Sequence, residues 1–131
     1  MLNLDTHVLI HALAGSLTPR EHRLLSAHSW GIAAIVLWEL AKLSQLGRIT
    51  LAIDPPEFAR ALSKIHVWPL DLAVCRRIKT LDFQGDPADE IIACTSLVHN
   101  IPLATRDRQI QKSPRQKNSW VSCGSGSLPS E

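Results

Sequence analysis

The sequence predicts one α/β domain built around a central, mainly parallel β-sheet flanked by α-helices. Short apolar runs alternate with longer stretches of helical periodicity along most of the chain. Two-residue hairpin signals between those runs are few. A chain of 131 residues, 45% hydrophobic and 20% charged, suits one domain that can bury a core without disulfides or a structural metal.

Met1–Leu4 reads as a buried strand ending at Asp5, and Val8, Leu9 and Ile10 begin a helix that stops at Gly15. Thr18-Pro19-Arg20-Glu21 is a capping-box pattern with proline at the first helical position, opening a helix that ends near His28. Trp30–Ile35 is too short for an independent helix and reads as a second strand. Leu37, Leu40, Ala41 and Leu43–Leu46 form an apolar helical stripe closed by Gly47. Asp54-Pro55-Pro56-Glu57 opens the next helix, and His66–Leu70 is a third strand. Asp71 caps a helix carrying Ala73, Val74, Ile78 and Leu81. Asp86-Pro87-Ala88-Asp89 starts a helix that runs to His99, with Asn100 as a left-handed stop. Ile101–Thr105 is a fourth strand, and Asp107 caps a short final helix. The domain is expected over residues 1–121. The Ser/Gly/Pro-rich end, 122–131, has almost nothing to bury and is expected to be a disordered tail.

Several function classes fall away on composition. Cys75, Cys94 and Cys123 are odd in number and lack CxxC or Cys/His spacing, which argues against a disulfide framework and against zinc. A reducing cytoplasm fits them. The opening MLNLDTHVLIHALAG has no basic region before its apolar stretch, so no signal peptide is expected. That stretch is too short, and too interrupted by Asp5, His7 and His11, to be expected to span a bilayer. A net charge of +2 does not by itself imply nucleic acid, but Arg106, Arg108, Lys112, Arg115 and Lys117 crowd one segment. The four tryptophans, Trp30, Trp38, Trp68 and Trp120, are expected in the core.

The acids carry the chemistry. In an open α/β sheet, ligands sit beyond the carboxyl ends of the strands, near a topological switch point. Asp5 closes the first strand, and Asp107 follows the fourth by two residues. Glu39 lies one turn into the helix after the second strand, while Asp86 and Asp89 open another helix. Asp54, Asp71, Asp86 and Asp107 also stand where a capping aspartate would. Glu39 and, still more, Asp5 are harder to dismiss in that way, being embedded in apolar sequence, where a carboxylate needs a partner or a cation. Acids converging at one sheet edge resist joint ionisation unless a cation neutralises them. All-oxygen donors suit Mg²⁺ or Mn²⁺.

LDTHVLI at 4–10, LWELAKL at 37–43, GDPADEIIACTSL at 85–97 and LATRD at 103–107 resemble, in order and spacing, the motifs of PIN-domain nucleases, most closely the VapC-type toxins. The resemblance spans residues 1–112 and implies a PIN-like fold. It implies that Asp5, Glu39, Asp89 and Asp107 are the catalytic, metal-binding quartet, with Mg²⁺ or Mn²⁺ as cofactor and single-stranded RNA as substrate. Asp86, Thr6 and Thr105 match supporting positions, and Arg106, Arg108 and Lys112 are candidate RNA-backbone contacts. A protein antitoxin and a homodimer are the partners it implies. This sequence departs from the pattern in three places. Glu90 stands where an arginine is usual, His11 where a tryptophan is common, and the segment after Ile110 lacks the apolar run of a last edge strand.

Alternative readings are a PIN-like module that has lost activity, an RNA-processing nuclease that is not a toxin, and a small-molecule phosphohydrolase. The last would need a DxD setting, whereas Asp5 is followed by Thr6-His7.

Overall fold

Short strands survive here because the middle of the sheet is covered on both faces, so the residues of its central strands are almost all buried. The structure is a computed structural model that describes residues 1–112 and 120–122. Its elements run β1 (Leu2–Leu4), α1 (Thr6–Ala14), α2 (Pro19–Ser26), β2 (Trp30–Ala33), α3 (Ile35–Gln45), α4 (Pro56–Leu62), β3 (His66–Trp68), α5 (Leu72–Arg77), a 3₁₀ turn (Ile78–Thr80), α6 (Pro87–His99), β4 (Leu103–Thr105), α7 (Arg108–Lys112) and β5 (Trp120–Ser122). The strand order is β3-β2-β1-β4-β5, with every pairing parallel. The expected α/β fold is therefore present.

From β1 the chain winds outward to β2 and β3, then returns to lay β4 on the other side of β1. That reversal creates a switch point between β1 and β4, with Leu4 beside Ala104. Leu2, Leu4, Ile32, Leu103 and Ala104 form the middle of the core, with Val8, Leu9, Val36, Leu40 and Ile92 closing over them from the helices. Asn3 is the one polar residue inside β1. Its Nδ2 donates to the Ile92 carbonyl at 3.1 Å and to Ser96 Oγ at 2.9 Å, which ties the central strand to α6.

Element boundaries differ from the sequence reading for local reasons. Helix α1 begins at Thr6 rather than Val8, because Asp5 caps it by accepting from the Thr6 N–H at 2.7 Å. Strand β2 stops at Ala33, whose successor Ala34 bonds to the Trp68 carbonyl and begins the first turn of α3. Ile35 and Val36 are consequently helical. Pro69 ends β3 at Trp68, and Pro102 delays β4 to Leu103. Helix α4 starts at Pro56 with no side-chain cap, so Asp54 does not cap it. Helix α5 ends at Arg77, where the chain tightens into the 3₁₀ turn. Asp71 does cap α5, and Asn100 does close α6 at φ 53°.

A last edge strand is present: residues 120–122 pair with β4, Trp120 against Leu103. Ser122, assigned to the tail on sequence, ends that strand. The rest of the expected tail lies outside the described residues. Trp68 lies inside, its ring so close to Gly31 that a Cβ there would come within 2.4 Å of it. Trp38 is not a core residue, since 57% of it is exposed.

Candidate active site

At the switch point the carboxyl ends of β1 and β4 open into a cleft of about 420 Å³ lined by Asp5, Glu39, Asp86, Asp89 and Asp107, with His7, His11 and Arg106. All four acids of the expected quartet, and Asp86, thus face one space. Their positions follow from the elements that carry them. Asp5 is the last residue before α1, and Asp107 precedes α7. Glu39 stands one turn into α3, and Asp89 lies in the first turn of α6. Packing of α3 against α6 brings these two acids over the sheet end.

Asp5 and the end of β4 are tightly organised. Asp5 is buried, and its Oδ2 accepts from Thr105 Oγ1 at 2.7 Å. The same threonine oxygen accepts from the Asp107 N–H at 3.0 Å, so one hydroxyl sets the spacing between two acids 102 positions apart in sequence. Thr6 serves the other side: its N–H holds Asp5 Oδ1, and its hydroxyl donates to Glu39 Oε1. Both supporting threonines therefore touch the acids.

Asp89 differs. It accepts no side-chain hydrogen bond among the described residues, and its carboxyl is pushed from the ordinary 3.8 up to about 7. Burial is the main cause, followed by the charges of Asp5, Glu39, Asp107 and Asp86. Burial likewise raises Asp5 and Glu39, against the opposing hydrogen bonds from Thr105, Thr6 and, for Asp5, the Thr6 N–H. Asp86 occupies the N-cap position of α6 but makes no side-chain capping bond, so the expected capping role is not the one the structure gives it.

Among the described residues no three His, Cys, Asp or Glu side chains are grouped so as to hold a metal ion by themselves. The donor set nonetheless fits Mg²⁺ or Mn²⁺. It is all oxygen and under mutual repulsion, and a hard cation of this kind keeps several waters rather than filling its shell with protein ligands. Zinc is the poorer match, since its sites favour nitrogen and sulfur.

The basic residues divide. Arg108 and Lys112 are exposed on α7 and do not line the cleft. Arg106 does line it, but two of its nitrogens bind Glu21: Nε donates to Oε2 at 2.7 Å and Nη2 to Oε1 at 2.5 Å. Sequence reasoning saw Glu21 only as part of a capping box, which does form, and missed this second partner. His7 and His11 were also missed as cleft residues, although their places in the first and second turns of the helix that Asp5 caps could have signalled it. Glu90 is not among the lining residues. Its charge acts instead on Cys94, whose thiol burial pushes up to about 11.

Residues 3–115 match the family model described as PIN domain. The chain belongs to the PIN-domain family. It is similar to Ribonuclease VapC22 of Mycobacterium tuberculosis, 32% identical over 100 residues that cover 72% of this chain and 76% of that protein. Its fold is also that of a chain in VapBC2 from Rickettsia felis bound to a promoter DNA fragment, with a TM-score of 0.72, 15% identity and coverage of 95% and 100%. A toxin–antitoxin complex from Klebsiella pneumoniae gives a TM-score of 0.66 at 19% identity, covering 88% of this chain and 94% of that one. No helix among the described residues is long and apolar enough to cross a membrane.

Proposed function

We propose that this protein is a Mg²⁺- or Mn²⁺-dependent endoribonuclease that cleaves single-stranded RNA as the toxin of a toxin–antitoxin pair. The observation that carries this reading is one cleft at the switch point, lined by five carboxylates, in a chain of the PIN-domain family. The ribonuclease name of the 32%-identical relative supports the substrate class. The toxin–antitoxin complexes of the same fold support an antitoxin partner.

Asp5, Glu39, Asp89 and Asp107 would hold the ion, directly or through water. When bound it supplies positive charge at the scissile phosphate, at the attacking water and at the leaving oxygen. The protein does the rest. Thr105 and Thr6 fix Asp5, Glu39 and the Asp107 backbone before substrate arrives, so little reorganisation accompanies the reaction. With five acids present, one can stay outside the ligand set and accept the proton of the attacking water. Asp86, whose side chain makes no cap, is free of that duty and suits the role. Arg108 and Lys112 would position the RNA backbone without reading bases. Arg106, bound to Glu21, is a weaker candidate for that contact. A second copy of the chain is the proposed homodimer partner, and the exposed Trp38, Leu70 and Leu72 are apolar surface it could cover.

The test is cleavage of single-stranded RNA by the full chain, with and without chelator. Activity should vanish in EDTA, return with Mg²⁺ or Mn²⁺, and be absent from Asp5→Asn. Cleavage persisting in excess chelator would sink the metal mechanism. Growth arrest on expression in a bacterial host, relieved by the same substitution, tests the toxin role. Harmless expression of a folded, active enzyme would point to RNA processing instead.

A further inference from the structure

We infer that Glu21 is a positioning residue that turns the Arg106 guanidinium away from the cleft carboxylates, leaving their charge for a metal ion. The inference rests on the metal-dependent reading above. Arg106 lies in sequence between Thr105 and Asp107 and lines the acidic cleft. An arginine is charged at every working pH, and its fork matches a carboxylate in two-pronged fashion. In such a place it is an internal counter-ion that competes with any cation.

Glu21 answers that competition from α2. Its side chain is 1% exposed and takes both prongs of Arg106, across 85 positions of sequence. The Thr18 N–H at 2.9 Å holds the same carboxylate from behind, so the acceptor is fixed before the arginine meets it. The capping box alone does not call for a charge at this position, since glutamine caps equally well. The second, charged partnership is what demands glutamate. Arg106 takes its bearings from Glu21, while its neighbours Thr105 and Asp107 face the acids.

Glu21→Gln separates the two duties, because it keeps the cap and the volume and removes the charge. Mn²⁺ affinity of the full chain, read by the electron paramagnetic resonance of free ion, gives a measure independent of cleavage. Thermal melting confirms the fold of each variant. With the charge of Glu21 removed, the pull of the bordering carboxylates on Arg106 is no longer opposed from that side. Glu21→Gln should then weaken Mn²⁺ binding by about tenfold, the scale on which one adjacent charge shifts a carboxylate's ionisation. Glu21→Asp, with a shorter reach, should weaken it less. The double variant Glu21→Gln/Arg106→Gln should recover wild-type affinity, which a purely structural role for Glu21 does not predict. Unchanged Mn²⁺ affinity in both single variants overturns the inference, and so does a double variant as weak as Glu21→Gln. Wild type that binds no Mn²⁺ overturns the metal reading and this inference with it.

Discussion

Two acidic regions of this molecule, one a buried Glu21 and the other a half-buried cleft, have opposite electrostatics. Glu21 is surrounded by donors: the Arg106 fork holds its carboxyl below the usual range, helped by Thr18. In the cleft, Asp5, Glu39 and Asp89 are all held above it, burial being the first cause for each and repulsion from neighbouring acids a further one. A buried carboxylate with a matched cation is a finished structural element. Several without one constitute a site that gains stability from whatever cation enters. On the proposed metal-dependent reading, what separates Asp5, Glu39 and Asp89 from Glu21 is that burial and repulsion raise them where a matched guanidinium lowers Glu21.

The largest expected effect that could break this comparison is on turnover. Asp89→Asn, close to isosteric, should reduce RNA cleavage below detection while the protein remains folded, and a cleavage assay beside a melting curve decides it. If the variant cleaves like wild type, Asp89 is outside the machinery. Next in size is the loss of the compensated pair. Glu21→Ala should cost about 2 kcal/mol in denaturant unfolding, since it strips a charged hydrogen-bonding partner from Arg106 along with half the capping box.

A third test uses pH. Asp89 ionises at about 7 in the fold against an ordinary 3.8, so between those values the folded state binds more protons than the unfolded state. Its contribution to stability therefore falls as pH rises through that window. Asp5 and Glu39 act in the same direction, while Glu21 acts oppositely, losing its contribution as pH falls. With chelator present, the melting temperature should drop as pH rises toward 7, and Mg²⁺ or Mn²⁺ should restore it. Asp89→Asn should flatten this dependence and raise the metal-free melting temperature by about 2–4 °C at neutral pH. A pH-independent melting curve would show that the cleft acids are already compensated. The smallest effect is at Asp86, where no capping bond exists to lose. Asp86→Asn should change unfolding free energy by less than about 0.5 kcal/mol. A loss of 1 kcal/mol or more, on the scale of about 0.5–2 kcal/mol for a lost cap, would restore the capping role.

What the sequence determined by itself was the alternation of elements and the identity of the acids. Apolar runs of strand length, the Thr18–Glu21 capping box and the Asn100 stop are local signals, and local physics is enough to read them. Asp5 and Glu39 stood out because carboxylates in apolar sequence need an explanation. The edge strand at 120–122 was missed because its stabilisation comes from pairing with β4 rather than from an apolar run of its own. Capping by Asp54 and Asp86 failed because a position before proline permits a cap without requiring the side chain to make one. Only the tertiary structure decided how the acids are held. Thr105 joins Asp5 to Asp107 across 100 residues, and Arg106 finds Glu21 across 85. The first arises where parallel strands from opposite ends of the chain become neighbours, and the second where a helix packs beside the end of β4. No window of sequence contains both members of either pair.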